Sequence, residues 1–216
     1  MSTKPCILIT GFQPFPGAPY NPTEKLVERL LRLRRPAFDT IERIGHVFPV
    51  TYGAVDRQLP ALIEAHSPDA LLMFGLATRT PFVRVETRAR NTITQIWPDA
   101  EHTQVRSRSI VAHSDSTRRF GPHTLRLLRA AQMSGVDARL SLNAGYYLCN
   151  YLSWRAIEAT RAAGGPHLAS FIHVPLVPRG PAQSAGVFSR VTFEQLVDAG
   201  EAMLMETARL ARHQAA

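Results

Sequence analysis

The sequence predicts an α/β fold, a three-layer α/β/α sandwich built on a largely parallel, mixed central sheet. Short apolar runs rich in β-branched residues alternate along the chain with longer segments whose apolar residues recur at helical spacing. This is the pattern of a sheet that is covered by helices on both faces. No internal repeat, low-complexity tract or Pro/Gly/Ser linker interrupts the alternation. Residues 1–216 are therefore expected to form a single domain.

The first strand and helix carry the clearest signals. Cys6–Thr10 is an apolar run that predicts a buried strand stopping at Gly11. After a Pro- and Gly-rich loop, Asn21 is expected as the N-cap and Pro22 as the first residue of a helix. The next elements in order are a strand at 41–50, a helix at 55–65, a continuous apolar strand at 69–74 that ends at Gly75, and a strand at 82–86 that alternates as a strand with one exposed face does.

The second half of the chain begins irregularly. Residues 91–121 show no clear periodicity and are expected to be mostly loop. The elements expected after them are a helix at 123–133, a strand at 138–143, a helix at 150–163, an apolar strand at 167–173 closed by Pro175, and a long amphipathic helix at 193–213. Ligands of such sheets bind at the carboxyl ends of the strands. The residues around 11–20, 75–80, 149 and 173 are therefore expected near one edge.

The chain is basic, with 25 Lys and Arg against 17 Asp and Glu, a formal net charge of +8 and a pI near 10.3. The arginines are scattered, so the charge is interpreted as a solvated surface, and neither nucleic acid nor a membrane is expected as a partner. Met1–Pro5 leads into an apolar run too short for a signal peptide. We therefore expect a cytoplasmic protein in which Cys6 and Cys149 form no structural disulfide.

Several common functional motifs are absent from the sequence. It contains no phosphate-binding Gly-rich loop, no G-x-G-x-x-G after a strand, no G-x-S-x-G elbow and no H-E-x-x-H or similar histidine pair. These absences argue against an NTPase, a dehydrogenase, a serine hydrolase and a zinc enzyme. Cysteine chemistry is the main possibility that remains.

Cys149 stands where a strand and a short Gly-containing turn are expected to give way to a helix. The positive end of a helix dipole and its unpaired N–H groups favour a thiolate at such a position. The same N–H groups can hold an oxyanion. A lone cysteine is, however, more often a small buried apolar residue, so position alone leaves both packing and catalysis open.

His173 and Glu86 are the candidate partners of this thiol, because each ends a predicted strand. Taken singly, His173 could be a satisfied core residue and Glu86 a surface carboxylate opposite Arg84 or Arg88. Taken with Cys149, they form a triad of the kind that nucleophilic catalysis requires. The imidazole takes the thiol proton, and the carboxylate fixes the tautomer of the imidazole.

Four segments occur in the same order as in a known family, and the spacing between them is similar. They are Thr10–Phe15 with Asn21–Pro22, Gly75–Ala77 with Glu86 and Asn91, Ala144–Gly145 with Cys149–Asn150, and Phe171–Pro175. Together they resemble pyroglutamyl-peptidase I, also called pyrrolidone-carboxylate peptidase, over essentially the whole chain. The resemblance implies a cysteine peptidase that removes the pyroglutamyl residue from a peptide with a blocked N-terminus. It also implies that no metal or cofactor is used and that the protein is a homo-oligomer, a dimer or a tetramer.

The resemblance further implies residue roles, with Cys149 as nucleophile, His173 as base and Glu86 as the orienting carboxylate. The implied substrate-binding residues are Phe12, Phe15, Asn21, Leu76, Trp97, Tyr147 and Leu148. The two phenylalanines would pack on either side of the flat lactam ring, and Tyr147 and Leu148 would extend the apolar wall of the pocket. Asn21 and the backbone at Leu76 would form hydrogen bonds with the polar edge of the ring. A small neutral ring with one amide needs such an apolar slot with a few fixed hydrogen bonds. Without the family, core packing is the more common role for buried aromatic residues.

The chain also departs from the family pattern. Gln13 and Pro16 stand in a loop that usually reads Gly-Phe-Glu-Pro-Phe-Gly-Gly, which would stiffen or re-aim it. Ile96 stands where the family has an arginine that helps to stabilise the oxyanion. Losing one oxyanion donor typically lowers the rate about 10²–10³-fold. The candidates to replace the arginine are Arg84, Arg88 and Arg90, and Trp97 is a candidate to reshape the pocket.

These departures leave two other functions open. One is a thiol amidohydrolase of the same fold that acts on another cyclic or blocked amide. The other is a binding protein that has lost catalysis and uses its basic charge to bind an anionic partner.

Overall fold

A six-stranded mixed sheet lies between two layers of helices in the computed structural model, which describes residues 4–15, 17–178 and 191–214. The strands are β1 (Cys6–Phe12), β2 (Glu42–Phe48), β3 (Ala70–Ala77), β4 (Val83–Glu86), β5 (Arg88–Arg90), β6 (Thr117–Arg119), β7 (Ala138–Ser141) and β8 (Leu168–Pro175). The sheet has the order β2-β1-β3-β8-β4-β7, and β5 and β6 form a separate ribbon. The helices are α1 (Pro22–Arg32), α2 (Tyr52–His66), α3 (Thr124–Met133), α4 (Leu148–Ala159) and α5 (Phe193–Gln214), and Pro36–Phe38 forms a 3₁₀ turn.

The two faces of the sheet bury separate apolar clusters. Ile7 and Ile9 of β1 face the layer formed by α1, α3 and α5, whereas Leu8 faces the layer formed by α2 and α4. Because successive side chains of a strand point to opposite faces, a strand buried on both faces is apolar without interruption. The predicted α/β/α sandwich is confirmed.

The directions of the strands determine which edge of the sheet carries the candidate functional residues. β2, β1, β3 and β8 are parallel, so their carboxyl ends lie at one edge of the sheet. β4 runs antiparallel to β8 and parallel to β7. Arg84 therefore lies opposite His173, while Glu86, at the end of β4, lies farther from the edge. Glu86 does end its strand, as predicted, and the antiparallel direction of β4 sets it behind His173.

Two predictions about single strands are wrong. Gly11 does not end β1, since the strand continues in register to Phe12. Gly11 instead permits α1 to approach, because a Cβ there would lie 2.9 Å from the carbonyl oxygen of Thr23. β4 does not expose one face, because it lies between β8 and β7, and Val83 and Val85 are fully buried.

Two predicted segments also differ. Residues 117–119, expected to be loop, pair with 88–90 as a two-stranded ribbon. Strands of three residues are too short to show a periodic pattern in the sequence. Helix α4 begins at Leu148 and ends at Ala159, not at 150 and 163. Its N-cap, Tyr147, makes no side-chain capping bond, so the usual N-terminal signal is missing from the sequence. Within the described ranges, no helix is long and apolar enough to cross a membrane.

Candidate active site

A cavity of about 850 Å³ opens at the carboxyl ends of β1, β3 and β8. Cys149 and His173 line it, and Glu86 lies behind His173. The structure also brings all seven predicted substrate-binding residues to its wall, namely Phe12, Phe15, Asn21, Leu76, Trp97, Tyr147 and Leu148. Residues far apart in sequence thus converge on one concave, mostly apolar site, as small-ligand sites usually do.

Helix α4 places the thiol over the sheet. Cys149 is the second residue of α4, and its Sγ lies against Gly75 of β3, where an added Cβ would be only 2.8 Å from the sulfur. The sulfur occupies the space that a side chain at position 75 would need, so only glycine fits there. The first-turn N–H groups of α4 have no side-chain cap from Tyr147, so they are available to a substrate oxygen.

His173 is held by a buried carboxylate. Its Nδ1 lies 2.8 Å from Oε1 of Glu86, and the exposed fractions of the two residues are 3% and 0%. Since a carboxylate only accepts, Nδ1 carries the proton in this bond and Nε2 is the basic nitrogen. The predicted alternative, a surface carboxylate at Glu86, is wrong.

Arg84 joins this pair on the same face of the sheet. Its Nη2 lies 3.3 Å from Oε1 of Glu86 and 3.1 Å from Nδ1 of His173. Because Arg and the protonated Nδ1 are both donors, the attractive partner of the guanidinium is the carboxylate. Sequence reasoning considered Arg84 only as a surface partner or a substitute cation. Its position opposite His173 follows from pairing between distant strands, so no local sequence signal indicates it.

The thiol and the imidazole lie above neighbouring strands. The sulfur rests on Gly75, and the register partner of Gly75 on β8 is His173. Neighbouring strands are about 4.8 Å apart, and no hydrogen bond joins Sγ to the ring among the described contacts. Phe171 packs beside both groups, with its ring 5.0 Å from that of His173. Catalytic hydrogen bonds are often long in free enzymes and tighten when substrate binds.

Burial sets the resting protonation states. It raises the pKa of the Cys149 thiol to about 12, with the charge of Glu86 adding to the increase and Arg84 opposing it. Burial also lowers the pKa of His173, against the effect of Glu86. Burial alone would raise the pKa of Glu86, but its bond to His173 and the charge of Arg84 lower it. The resting site thus holds a neutral thiol, a neutral imidazole and a carboxylate, and not the thiolate expected from the helix dipole.

The aromatic wall is built partly from core residues. Phe12 is buried and packs on Phe48 at 6.0 Å between ring centroids, so it serves the core and the cavity at once. Phe15 lies at the opening with its ring 6.4 Å from that of Tyr147. The hydroxyl of Tyr147 donates to the carbonyl of Pro98, 2.9 Å away. This bond fixes the loop that carries Trp97.

Asn21 lines the cavity, but its amide is already bonded within the protein. Its Oδ1 accepts from the backbone N–H of Thr23 at 3.1 Å, which caps α1 as predicted. Its Nδ2 donates to the carbonyl of Gln13 at 3.2 Å. Asn21 therefore holds the loop between β1 and α1. The prediction that Pro16 alters this loop falls outside the described residues.

The residue at the position of the family arginine points away from the site. Ile96 is 79% exposed and does not line the cavity, whereas Trp97, 62% exposed, does. Of the candidate replacements, Arg88 donates to the carbonyl of Leu142. Arg90 stacks on Tyr146 and bonds to Asn143. Arg84 alone of the three lines the cavity.

Two buried polar residues, neither of which was assigned a role from the sequence, hold the site together. Asn150 accepts from the backbone N–H of Arg90 and donates to the carbonyls of Arg90 and Thr92, which ties α4 to β5. Asp99 accepts from three backbone N–H groups, those of Tyr52, Glu101 and Thr103. No cluster of three or more His, Cys, Asp or Glu residues suited to a metal ion occurs in the described part of the chain.

Comparison with known proteins gives a consistent result. Residues 5–209 match the sequence model of the pyroglutamyl peptidase family. The pyrrolidone-carboxylate peptidase of Pyrococcus furiosus is 30% identical over 172 residues, covering 80% of this chain and 81% of that protein. The pyrrolidone-carboxylate peptidase of Vibrio vulnificus is 31% identical over 214 residues and covers 96% of each chain.

A solved structure agrees with the sequence comparisons. The pyrrolidone carboxyl peptidase from Thermococcus litoralis superimposes with a TM-score of 0.87 at 25% identity. The superposition covers 97% of this chain and 96% of that one. The strand order and the helix layers described above are therefore those of an established fold.

Proposed function

The chain belongs to the pyroglutamyl peptidase family, and from this we propose that it removes N-terminal pyroglutamyl residues from peptides. Cys149 is the nucleophile, His173 the general base and Glu86 the orienting carboxylate. The observation that carries the proposal is the 2.8 Å bond from Nδ1 of His173 to the buried Glu86, beside a thiol that opens on the same cavity.

Acylation begins from the neutral thiol. As Sγ of Cys149 attacks the pyroglutamyl carbonyl carbon, its proton passes to Nε2 of His173, and Glu86 stabilises the imidazolium that forms. The carbonyl oxygen becomes an oxyanion, and the uncapped first-turn N–H groups of α4 can donate to it. The tetrahedral intermediate collapses, the C–N bond breaks, and the imidazolium gives its proton to the departing amine.

Deacylation uses the same groups in reverse. Water takes the place of the departed amine, and His173 removes its proton as the oxygen attacks the thioester carbonyl. The C–S bond breaks, and the sulfur recovers the proton from the imidazolium. Free pyroglutamate is released, and the resting neutral pair is restored. Because the thiol pKa is raised to about 12, the proton transfer and the attack are expected to be coupled.

The cavity wall supports recognition of a neutral lactam. Phe12, Phe15 and Tyr147 supply the apolar surface on which a flat ring can pack. Leu76, at the carboxyl end of β3, brings backbone polar groups to the ring's amide edge. A ring held in this way directs the exocyclic carbonyl that joins it to the next residue toward the sulfur above Gly75. Uncyclised Glu would bring an unpaired charge into an apolar slot.

We also propose a single domain, a cytoplasmic location and a homo-oligomeric assembly. The family match over residues 5–209 supports a single peptidase domain formed by residues 1–216. The free state of Cys6 and Cys149 is typical of a reducing cytoplasm. β7 ends the sheet, and Leu140 and Leu142 are exposed there, which supports a homo-oligomer, a dimer or a tetramer. Sedimentation equilibrium measures that assembly directly.

Hydrolysis of a pyroglutamyl-coumarin amide under reducing conditions tests the function. The wild-type protein is expected to release the fluorophore, and Cys149→Ala is expected to abolish release while keeping the wild-type circular dichroism spectrum. The matched control is Cys6→Ala, which changes the other free cysteine, buried in β1. Absence of wild-type turnover would refute the substrate, and activity in Cys149→Ala would refute the nucleophile.

A further inference from the structure

The strand order gives the cavity two chemically different ends. Phe12 on β1 contributes to the aromatic wall, the sulfur of Cys149 lies over β3, and His173 stands on β8, the next strand along. His173 must give a proton to the departing amine, so the peptide that follows the pyroglutamyl group leaves on the β8 side. The residues on that side meet the remainder of the substrate.

The loop between β3 and β4 crosses that side. β3 ends at Ala77 and β4 begins at Val83, and β8 lies between these two strands in the sheet. Residues 78–82 must therefore pass over the carboxyl end of β8. Thr78, Arg79 and Thr80 of this loop all line the cavity.

Arg79 is the unpaired charge of this region. It is exposed, it lines the cavity, and its guanidinium bonds to none of the described residues. Arg84, the other lining arginine, is 3.3 Å from the buried carboxylate of Glu86. The charge of Arg79 is thus the one that remains available to a substrate.

No free carboxylate among the described residues of the wall offsets Arg79. Asp99 is the lining residue with a carboxylate, but it is buried, and its two oxygens accept from the backbone N–H groups of Tyr52, Glu101 and Thr103. His102 adds a further ring at the wall, close in sequence to that aspartate. The leaving side therefore combines an exposed cation, Arg79, with polar side chains.

We propose that Arg79 is a specificity-determining residue that favours pyroglutamyl peptides whose second residue is acidic. The inference rests on the proposed function, since it concerns the residue after the scissile bond. The carboxylate of that residue approaches the guanidinium as the pyroglutamyl ring enters the apolar slot. A partly exposed ion pair of this kind is expected to raise kcat/KM roughly two- to fivefold.

Two isosteric substrates test the inference. Pyroglutamyl-glutamate amide and pyroglutamyl-glutamine amide differ only in the charge of the second side chain. At low ionic strength the wild-type enzyme is expected to favour the glutamate substrate, and Arg79→Gln is expected to bring the ratio of the two kcat/KM values close to one. The preference should also shrink in about 1 M salt, where the Debye length is about 3 Å.

Arg34→Gln is the matched control. Arg34 is exposed, lies beyond the end of α1 and does not line the cavity, so this variant loses the same net charge and should keep the wild-type ratio. A ratio near one in the wild-type enzyme, with both substrates cleaved, would overturn the inference and leave the proposed function standing. An equal loss of preference in the two variants would assign it to net charge and overturn the role of Arg79. If neither substrate is cleaved, the proposed function and the inference fall together.

Discussion

Gly75→Ala is the substitution that most directly probes the seating of the nucleophile. A Cβ at this position would lie 2.6 Å from Cζ of Phe171 and 2.8 Å from Sγ of Cys149. Carbon atoms in contact are ordinarily 3.5–4.0 Å apart, so the neighbours must retreat by about 1 Å. Phe171 is fully buried and has little room to move. The sulfur is therefore expected to lift away from β3.

A displacement of this size has a calculable effect on the rate. A misplacement of about 1 Å in a reacting group lowers the rate about 10²-fold, which corresponds to about 2.7 kcal/mol of activation free energy. Overpacking of the buried ring is expected to lower the free energy of unfolding by about 1–3 kcal/mol. The assay is kcat/KM for a pyroglutamyl-coumarin amide, with urea denaturation measured on the same preparation.

Gly53→Ala provides the control, since it makes the same chemical change in α2. The nearest atoms to its Cβ would all belong to the guanidinium of Arg57, with Nη1 at 2.9 Å, and that exposed side chain can turn aside. Replacing a helical glycine by alanine stabilises a helix by up to about 1 kcal/mol, and kcat/KM should not change. A folded Gly75→Ala variant with the kcat/KM of the wild-type enzyme would refute the placement of the sulfur against β3.

Three further predictions concern protonation. Glu86→Gln is expected to move the acidic limb of the kcat/KM pH profile to lower pH, because Glu86 raises the pKa of His173, and to lower the rate by up to about 10⁴-fold. Arg84→Gln is expected to move the same limb to higher pH, because Arg84 lowers that pKa; shifts in the same direction would contradict the arrangement. The folded-state pKa of His173 lies below its ordinary value of 6.5, so the stability it contributes is complete above pH 6.5 and is lost as the pH falls through the folded pKa. Urea midpoints should therefore fall as the pH drops below 6.5, and more weakly so in His173→Gln.

Local sequence signals predicted most of the fold. Continuous apolar runs marked β1, β3 and β8 because these strands are buried on both faces, and Asn21 and Pro22 marked the start of α1 because capping is a local interaction. The prediction that β4 has one exposed face is wrong because Arg84 and Glu86 are polar residues whose partners come from tertiary contacts. Periodicity cannot distinguish a solvated carboxylate from one that bonds to a histidine 87 residues away.

The candidate site was predicted less completely than the fold. Its wall residues were named from a family resemblance, and the structure brings them to one cavity. The direction of β4, which sets Glu86 behind His173, depends on pairing between distant strands. The raised pKa of the partly buried Cys149 thiol likewise depends on desolvation by residues that are distant in sequence. Neither property is encoded within a short window of sequence, because both depend on contacts between distant segments of the chain.

Backbone hydrogen bonding fixes the distance between neighbouring strands, so changes in the loops and changes at the reacting groups can occur independently. The sulfur, the imidazole and the carboxylate rest on three adjacent strands, β3, β8 and β4, whose separation is dictated by backbone geometry. The departure at Gln13 and the exposed Arg79 both lie outside these strands. Substitutions in the loops can therefore alter which peptides enter without disturbing the reacting atoms, and divergence in substrate preference can proceed while the chemistry is preserved.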